Sequence, residues 1–312
     1  SDNAGASTAT YSKNIRRKLR RYIEARAAEF EGQILVIAQK AALEALGPMP
    51  ENVQALHFNA LSGLDGFKDV RAIIQIGRPA PKPSDVEARA ELMLGHGIDR
   101  LAAWYDKAPT SLLMADGSTG PQVFTRGGKG QNVNLGHDHH PNATAEAIRW
   151  SICEGELIQG IGRGRGVNRT PETPLQIDIL TNVPLPIPVN EAGTFESYEP
   201  TPEQTMQARG IIMHDTAAKG AWHIIAATLP DLFPSADAAR KAFYRAAECS
   251  RGHIPISIPI RICPREGFEP ARIKQNGARY AVDVQILSDP NVRAGLCEKY
   301  GLEIVDAPPA NA

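Results

Sequence analysis

The sequence predicts an α/β fold in which helices cover both faces of a parallel sheet, followed by a smaller α+β module. Three observations lead to this prediction. Short runs of β-branched and aliphatic residues alternate with helical patterns, as expected for parallel strands buried on both faces. Prolines at alternate positions, Pro184, Pro186 and Pro188, followed by Pro200 and Pro202, then interrupt this pattern. With 312 residues, of which 42% are hydrophobic, the chain is long enough to build such cores.

The four predicted strands of the first domain are continuous apolar runs. They lie at residues 33–38, 55–59, 72–76 and 176–180. Helices are predicted where apolar residues recur at helical spacing, with Asn142 or Thr144 capping the last of them. These helices cover residues 13–30, 40–46, 85–94 and 144–160. Ligands of such sheets bind at the carboxyl ends of the strands, so we expect residues 59–65, Gly77-Arg78 and the arginines after residue 162 near that edge.

Residues 83–150 depart from simple alternation. Segments 111–115 and 122–125 flank Asp116-Gly117, which predicts a hairpin insertion followed by a flexible basic loop at residues 126–130. The next polar segment contains four residues capable of binding a metal ion. These are His137, Asp138, His139 and His140. We predict a loop without a metal, because neighbouring loop residues rarely converge on one ion, and keep a metal-dependent hydrolase as the weaker alternative.

The domain boundaries follow from the changes in composition. We expect a flexible polar tail at 1–12, the α/β domain at 13–183, the proline-rich connector at 184–200 and the small module at 201–312. Within the module, helices are predicted at 202–209, 216–227, 235–248 and 292–299, and strands at 254–262 and 279–287. Helices followed by strands make a winged-helix-like arrangement one candidate for this module.

Charge and cysteine content limit the classes of function. The net charge is −1 and the pI is about 6.7, so nucleic-acid binding would require a local basic patch. The four cysteines lack Cys-x-x-Cys spacing, which favours free thiols in a reducing compartment. No apolar run reaches membrane-spanning length. We therefore expect a cytoplasmic protein without a membrane partner.

The most informative segment is an arginine run spaced by glycines. After a helical pattern, Arg163 and Arg165 alternate with Gly162, Gly164 and Gly166, and Arg169 follows three residues later. Guanidinium groups match phosphate oxygens two at a time, and glycine lets the backbone approach a ligand closely. This pattern is typical of a site for a polyphosphate or a nucleic-acid backbone.

Three blocks in the order of the chain resemble the second RecA-like lobe of superfamily 2 helicases. Residues 33–39 are similar to the first strand of that lobe (motif IV), and Phe58-Asn-Ala-Leu-Ser-Gly-Leu-Asp65 is similar to motif V. Gln159-Gly-Ile-Gly-Arg-Gly-Arg165 is similar to motif VI, usually Gln-x-x-Gly-Arg-x-x-Arg. Together with Gly77-Arg-Pro79, the pattern resembles primase–helicase proteins of phages and mobile elements over residues 13–183. The last arginine of motif VI would fall at Gly166, which leaves open whether Arg163, Arg165 or Arg169 serves as the arginine finger.

The resemblance implies a nucleic-acid motor driven by ATP and Mg²⁺. The sequence contains no Gly-x-x-x-x-Gly-Lys-Ser/Thr, so ATP and Mg²⁺ would be bound mainly by a first lobe outside this chain, expected in the same longer protein. The chain alone should therefore hydrolyse no ATP. The implied catalytic residues are Gln159, Arg163 and Arg165. The implied nucleotide-binding residues are Gly63, Asp65, Gly162 and Arg169.

DNA or RNA is the second implied partner. The candidate contacts are Ser62, Arg126 and Lys129, supported by Arg16, Arg17 and Arg20 on the first helix. For that helix a solvated basic face is the competing interpretation, slightly favoured. The alternative to a motor is a non-catalytic nucleic-acid-binding or adaptor module of RecA-like shape.

Overall fold

The computed structural model describes residues 13–60, 66–119, 123–126, 131–134, 136–213, 220–249 and 268–305, with the backbone alone at 123–126, 131–134 and 243–249. The chain forms two compact units. The first contains Phe30–Ser197, and the second joins Arg17–Glu29 to the chain from Tyr198 onward. Most of the first helix, α1 (Lys13–Glu29), thus belongs to the second unit. Within the described residues every helix is too short or too polar to cross a bilayer.

The first unit contains eight of the described strands and four of the described helices beyond α1. Its strands are β1 (Ile34–Ala38), β2 (Val53–His57), β3 (Ala72–Ile76), β4 (Asp106–Pro109), β5 (Val123–Arg126), β6 (Gln131–Asn134), β7 (Gly136–His139) and β8 (Gln176–Leu180). Its helices are α2 (Lys40–Leu46), α3 (Pro83–Leu94), α4 (Ala143–Trp150) and α5 (Glu156–Gly162).

The core of this unit is a four-stranded parallel sheet in the order β2-β1-β3-β8. Every residue of β1 and β3 is buried, as their unbroken aliphatic sequences predict. The predicted parallel sheet is therefore confirmed. Strand β2 ends two residues before the predicted end, because Asn59 adopts a left-handed backbone (φ 68°) that a strand cannot accommodate. The connection after β1 leads to β2 on one side, and the connection after β3 leads to β8 on the other, which makes the gap between β1 and β3 the topological switch point.

The insertion differs from its prediction. A turn does form at Asp116-Gly117, where the Met114 N–H donates to the Ser118 carbonyl and Leu113 bridges Thr119. The partner of β5 is β6, and β4 pairs with β7. The predicted pairing of 111–115 with 122–125 is therefore wrong. The predicted loop at the histidine cluster is also wrong, since β7 is a strand; its polar residues lack the apolar alternation that would have revealed it.

One helical segment runs from α4 into α5 through a π-helical turn, Ser151–Gly155. The Asn142 side chain caps its start by accepting the N–H groups of Thr144 and Ala145, as predicted. Leu157 and Cys153 are completely buried against Leu35 and Ile37 of the sheet. This packing sets the direction of α5 along the strands.

The second unit contains an antiparallel sheet in the order β12-β10-β11-β9. These strands are β9 (Ile211–Ile212), β10 (Phe268–Gln275), β11 (Val282–Leu287) and β12 (Leu302–Val305). Its remaining helices are α6 (Pro202–Ala208), α7 (Ala221–Thr228), α8 (Ala236–Cys249) and α9 (Pro290–Tyr300). The core is apolar, with Ile211, Ile224 and Ile286 at its centre. The strand predicted at 254–262 lies outside the described residues, and β10 was not predicted, because Pro270 and its charged residues obscure the strand pattern.

Candidate functional site

The residues that follow α5 lie at the amino edge of the parallel sheet. Near the carboxyl end of β3, the Gln75 side chain donates a hydrogen bond to the Leu157 carbonyl at the start of α5 (2.9 Å). At the far end, Arg169 Nη2 donates to the carbonyl of Val70, just before β3 begins (2.9 Å). The expectation that the arginines share the carboxyl edge is therefore wrong, because a helix linking parallel strands runs antiparallel to them. Residues 163–169 are called the arginine loop below.

A glycine holds the arginine loop against the sheet. Gly164 is buried, and a Cβ atom there would lie 2.5 Å from Leu175 Cδ2 and 2.8 Å from Ile73 Cδ1. Real Cβ atoms do not approach side-chain carbons so closely. A side chain at position 164 would therefore force the ends of the Leu175 and Ile73 side chains to shift, and glycine avoids that rearrangement.

Arg165 is the most unusual residue of the loop. Its backbone is left-handed (φ 50°, ψ 49°), a conformation shared only with Asn59 among the described non-glycine residues. That conformation costs an arginine roughly 1–2 kcal/mol. Arg165 is exposed between Gly164 and Gly166, and Val167 beyond it is 94% exposed. Strain of this kind is concentrated at functional positions, so Arg165 is the strongest candidate in the loop for contact with a ligand.

The other predicted residues of this segment occupy different environments. Gln159 and Gly162 are exposed, and Arg163, which ends α5, is half-buried. Arg169 has a structural function: its Nε and Nη2 atoms both donate to the Gly164 carbonyl (3.0 and 2.8 Å), in addition to the bond with Val70. The Arg169 guanidinium therefore closes the loop on itself and ties it to the sheet.

Ion pairs occupy the carboxyl edge near the switch point. The Gln39 side chain donates to the Arg78 carbonyl (2.7 Å) across the gap between β1 and β3. The Arg78 guanidinium binds buried Asp138 (2.7 Å), which also pairs with Lys107. Burial by itself would raise the pKa of Asp138, but the bonds from Lys107 and Arg78 outweigh it and lower that pKa. Arg78 is thus bound to a carboxylate of its own unit.

The histidine cluster divides between two faces of β7. His140, completely buried, accepts the Asn142 N–H at Nδ1 (3.0 Å), so its proton lies on Nε2 and points to Glu87 Oε1 (3.3 Å). His140 and Asp138 are thus structural residues. His137 and His139 lie on the opposite face, where their ligating atoms and a carboxylate oxygen of Glu146 are all within 4.8 Å of one another. Sequence reasoning missed Glu146, seven residues beyond His139 and in another element.

Arg149 is a buried arginine with two carboxylate partners, one of which is Glu146. Arg149, 1% exposed, binds Glu146 through Nε and Nη2 (both 2.8 Å) and Glu154 through Nη1 and Nη2 (3.0 and 2.9 Å). Burial alone would raise the pKa of Glu146, but bonds from Arg149 and from the His140 N–H outweigh it and lower that pKa. The π turn brings Glu154 to this arginine, which gives that irregular turn a structural purpose.

The basic face of α1 is only partly available to a ligand. Arg17 is exposed and Arg16 half-buried, whereas Arg20 pairs with Glu24 (3.1 Å). Arg21 is buried, with Glu199 and Asp231 as its partners. Of the other nucleic-acid candidates, Arg126 lies in β5, where the backbone alone is described. Ser62, Gly63, Asp65 and Lys129 lie outside the described residues.

Comparison with known proteins found no match for this chain among family profiles, curated proteins or solved structures.

Proposed function

We propose that this chain is the second, RecA-like motor lobe of an ATP-dependent superfamily 2 helicase or translocase. In this proposal Arg165, with Arg163, reaches a triphosphate that a first lobe holds together with Mg²⁺. The second unit would be a small, winged-helix-like α+β module. The observation that carries the proposal is the strained, exposed Arg165 on a loop anchored to the sheet by Gly164 and Arg169.

The position of the loop at the amino edge supports an arginine supplied to another lobe. Open α/β sheets bind their own ligands beyond the carboxyl ends of the strands. When two such lobes stack head to tail, the carboxyl edge of one faces the amino edge of the next. An arginine that completes the neighbour's site therefore belongs at the amino edge, where Arg165 lies.

The chemistry of such an arginine is electrostatic. Phosphoryl transfer spreads negative charge over the oxygens around the γ-phosphorus, and a fixed guanidinium stabilises that charge. A loop held by the buried Gly164 and by three hydrogen bonds from Arg169 keeps the Arg165 backbone in place before the nucleotide arrives. Gln159, exposed one turn earlier on α5, would orient a phosphate or the attacking water.

Nucleic acid would contact residues that follow the carboxyl ends of the strands and the exposed part of α1. Ser62 and Gly63 follow β2, with Asp65 linking them to the nucleotide. Arg126 and Lys129 would add phosphate contacts from the insertion. On α1, Arg16 and Arg17 are better candidates than Arg20, which is paired with Glu24.

The test is ATP turnover by the full-length gene product with single-stranded DNA or RNA present. We expect Arg165→Ala to lower kcat by about 10³-fold or more, with the affinity for ATP nearly unchanged, because the arginine acts in the transition state. Arg163→Ala, measured in parallel, shows which arginine is the finger. The control is Arg89→Ala, an exposed arginine on α3. Full turnover in both Arg163→Ala and Arg165→Ala would refute the finger assignment.

A second measurement separates the motor from the adaptor. Fluorescence anisotropy with a labelled single strand reports binding, and the slope of affinity against salt counts the phosphates contacted. Binding without any ATP turnover by the full-length product would favour the non-catalytic adaptor.

A further inference from the structure

We propose that His137, His139 and Glu146 form a binding site for one divalent transition-metal ion, with Zn²⁺ as the best match. This site is separate from the arginine loop. It does not depend on the proposed motor function.

Strand geometry places the two histidines together. Residues two apart on a strand share a face, so His137 and His139 lie on one side of β7 with ring centroids 6.1 Å apart. Between them, Asp138 turns to the opposite face, is 2% exposed and is held by Arg78 and Lys107. This buried ion pair fixes which face of β7 carries the histidines.

Glu146 supplies the third ligand from the first turn of α4. Its Oε2 atom is 3.7 Å from His139 Nδ1, and ligand atoms of all three residues lie within 4.8 Å of one another. Tetrahedral zinc with bonds of about 2.0–2.2 Å requires its ligand atoms to be roughly 3.4 Å apart. Small rotations of the histidine rings close this gap, since the His139 side chain is 46% exposed and free of tight packing.

The surroundings of Glu146 are those of a positioned metal ligand. Arg149 and the His140 N–H (2.8 Å) hold its carboxylate, and Glu154 in turn holds Arg149. Hydrogen-bonded neighbours of this type orient a ligating carboxylate. Two carboxylates share the single charge of Arg149, which leaves one negative charge that a bound cation offsets.

Three protein ligands leave the fourth position of a tetrahedral ion open. An open recess of about 510 Å³ adjoins the cluster and is lined in part by His139, Glu146, Ala147 and the half-exposed Trp150. A water molecule or another small ligand could complete the coordination there. Imidazole nitrogens favour Zn²⁺ and similar ions over Mg²⁺ or Ca²⁺, which prefer oxygen ligands.

The test is titration of the metal-free purified chain with Zn²⁺ by calorimetry, and with Co²⁺ by visible absorption, which reports tetrahedral coordination. We expect one ion per chain and no displacement by excess Mg²⁺. His137→Asn and His139→Asn should each weaken binding by at least about 10- to 100-fold, the range already seen when only outer partners of metal ligands are lost.

The matched control is His96→Asn, an exposed histidine beyond α3 that should leave Zn²⁺ affinity unchanged. Circular dichroism confirms that each variant folds. The histidine variants are preferred to Glu146→Gln, because loss of that carboxylate also removes a partner of buried Arg149. Absence of Zn²⁺ binding, or equal binding by the two histidine variants and the wild-type chain, would overturn the proposal.

Discussion

Two arginine-rich segments of this chain are both candidates for phosphate contact by sequence, and they differ in the structure. On α1, Arg21 is 3% exposed and binds Glu199 (2.5 Å) and Asp231 (2.9 Å) within the second unit. In the arginine loop of the first unit, Arg165 is exposed on a left-handed backbone. The first arginine is buried and stabilises its unit, while the second is exposed and carries conformational strain.

The contrast shows that the density of arginines does not reveal their function. Both interpretations of α1, a solvated face and a phosphate contact, assumed arginines directed at solvent. Arg21 instead belongs to an internal network in which Arg209 also binds Asp231 (3.1 Å) and Glu24 (3.0 Å). The carboxylate partners of Arg21 come from residues far apart in sequence, so the α1 segment itself gives no sign that Arg21 is internal.

The largest effect on stability is expected from Arg21→Ala. The Arg21 side chain is almost fully buried, and removing it takes one ion-pair partner from Glu199 and one from Asp231. Glu199 keeps Lys18 and Asp231 keeps Arg209 as a partner, so we expect a loss of about 3 kcal/mol, the lower end of the range for a broken buried pair. Urea denaturation measures the free energy of unfolding, with Arg240→Ala, an exposed arginine on α8, as the control. A loss below about 1 kcal/mol, the usual value of an exposed pair, would show that the network contributes little.

An intermediate effect is expected from Arg169→Ala, which tests the division of labour within the arginine loop. The change removes three hydrogen bonds to the carbonyls of Gly164 and Val70. We expect a loss of about 2 kcal/mol, since bonds from charged donors contribute about 1.5–3 kcal/mol and Arg169 is only half-buried.

Arg169→Lys is the matched control for that measurement. Lysine keeps the charge but cannot reproduce the planar guanidinium fork, so the variant should lose most of the free energy of unfolding that Arg169→Ala loses. Wild-type stability in both variants would mean that the loop is anchored by Gly164 alone.

The smallest effect is expected from Arg165→Gly. Glycine relieves about 1–2 kcal/mol of left-handed strain but adds about 0.5–1 kcal/mol of unfolded-chain entropy and removes the contacts of the Arg165 side chain, so the net change should stay within about 1 kcal/mol. Under the proposed function, the same variant of the full-length product should lower ATP turnover by about 10³-fold, the effect expected for Arg165→Ala. Measuring both the free energy of unfolding and the ATP turnover of this variant separates an effect on function from an effect on stability. A loss of more than about 2 kcal/mol in the Arg165→Gly variant would instead make Arg165 a structural residue.

Regular elements were predicted best where the local pattern is strong. Strands 72–76 and 176–180 and helix 40–46 lie where the sequence places them, because buried aliphatic runs and a Gly-Pro stop are local signals. The insertion was predicted poorly: the pairing of β4 with β7 joins segments about 30 residues apart, and their polar side chains carry no period.

The candidate sites, too, were predicted only where the sequence signal is local. Glycine spacing singled out the arginine loop, and the left-handed backbone of Arg165 is consistent with the glycines around it. The convergence of Glu146 on His137 and His139 carried no signal in the sequence, because it depends on where α4 starts relative to β7.

The sequence by itself determined the parallel α/β core of the first unit and the chemical character of its arginine loop, since both follow from residue types and short-range spacing. Only the tertiary structure decided that α5 delivers this loop to the amino edge of the sheet and that Arg21 is internal. It also decided that two histidines and a glutamate face one another. Those outcomes depend on helix direction and on contacts between residues distant along the chain, which local propensity does not contain.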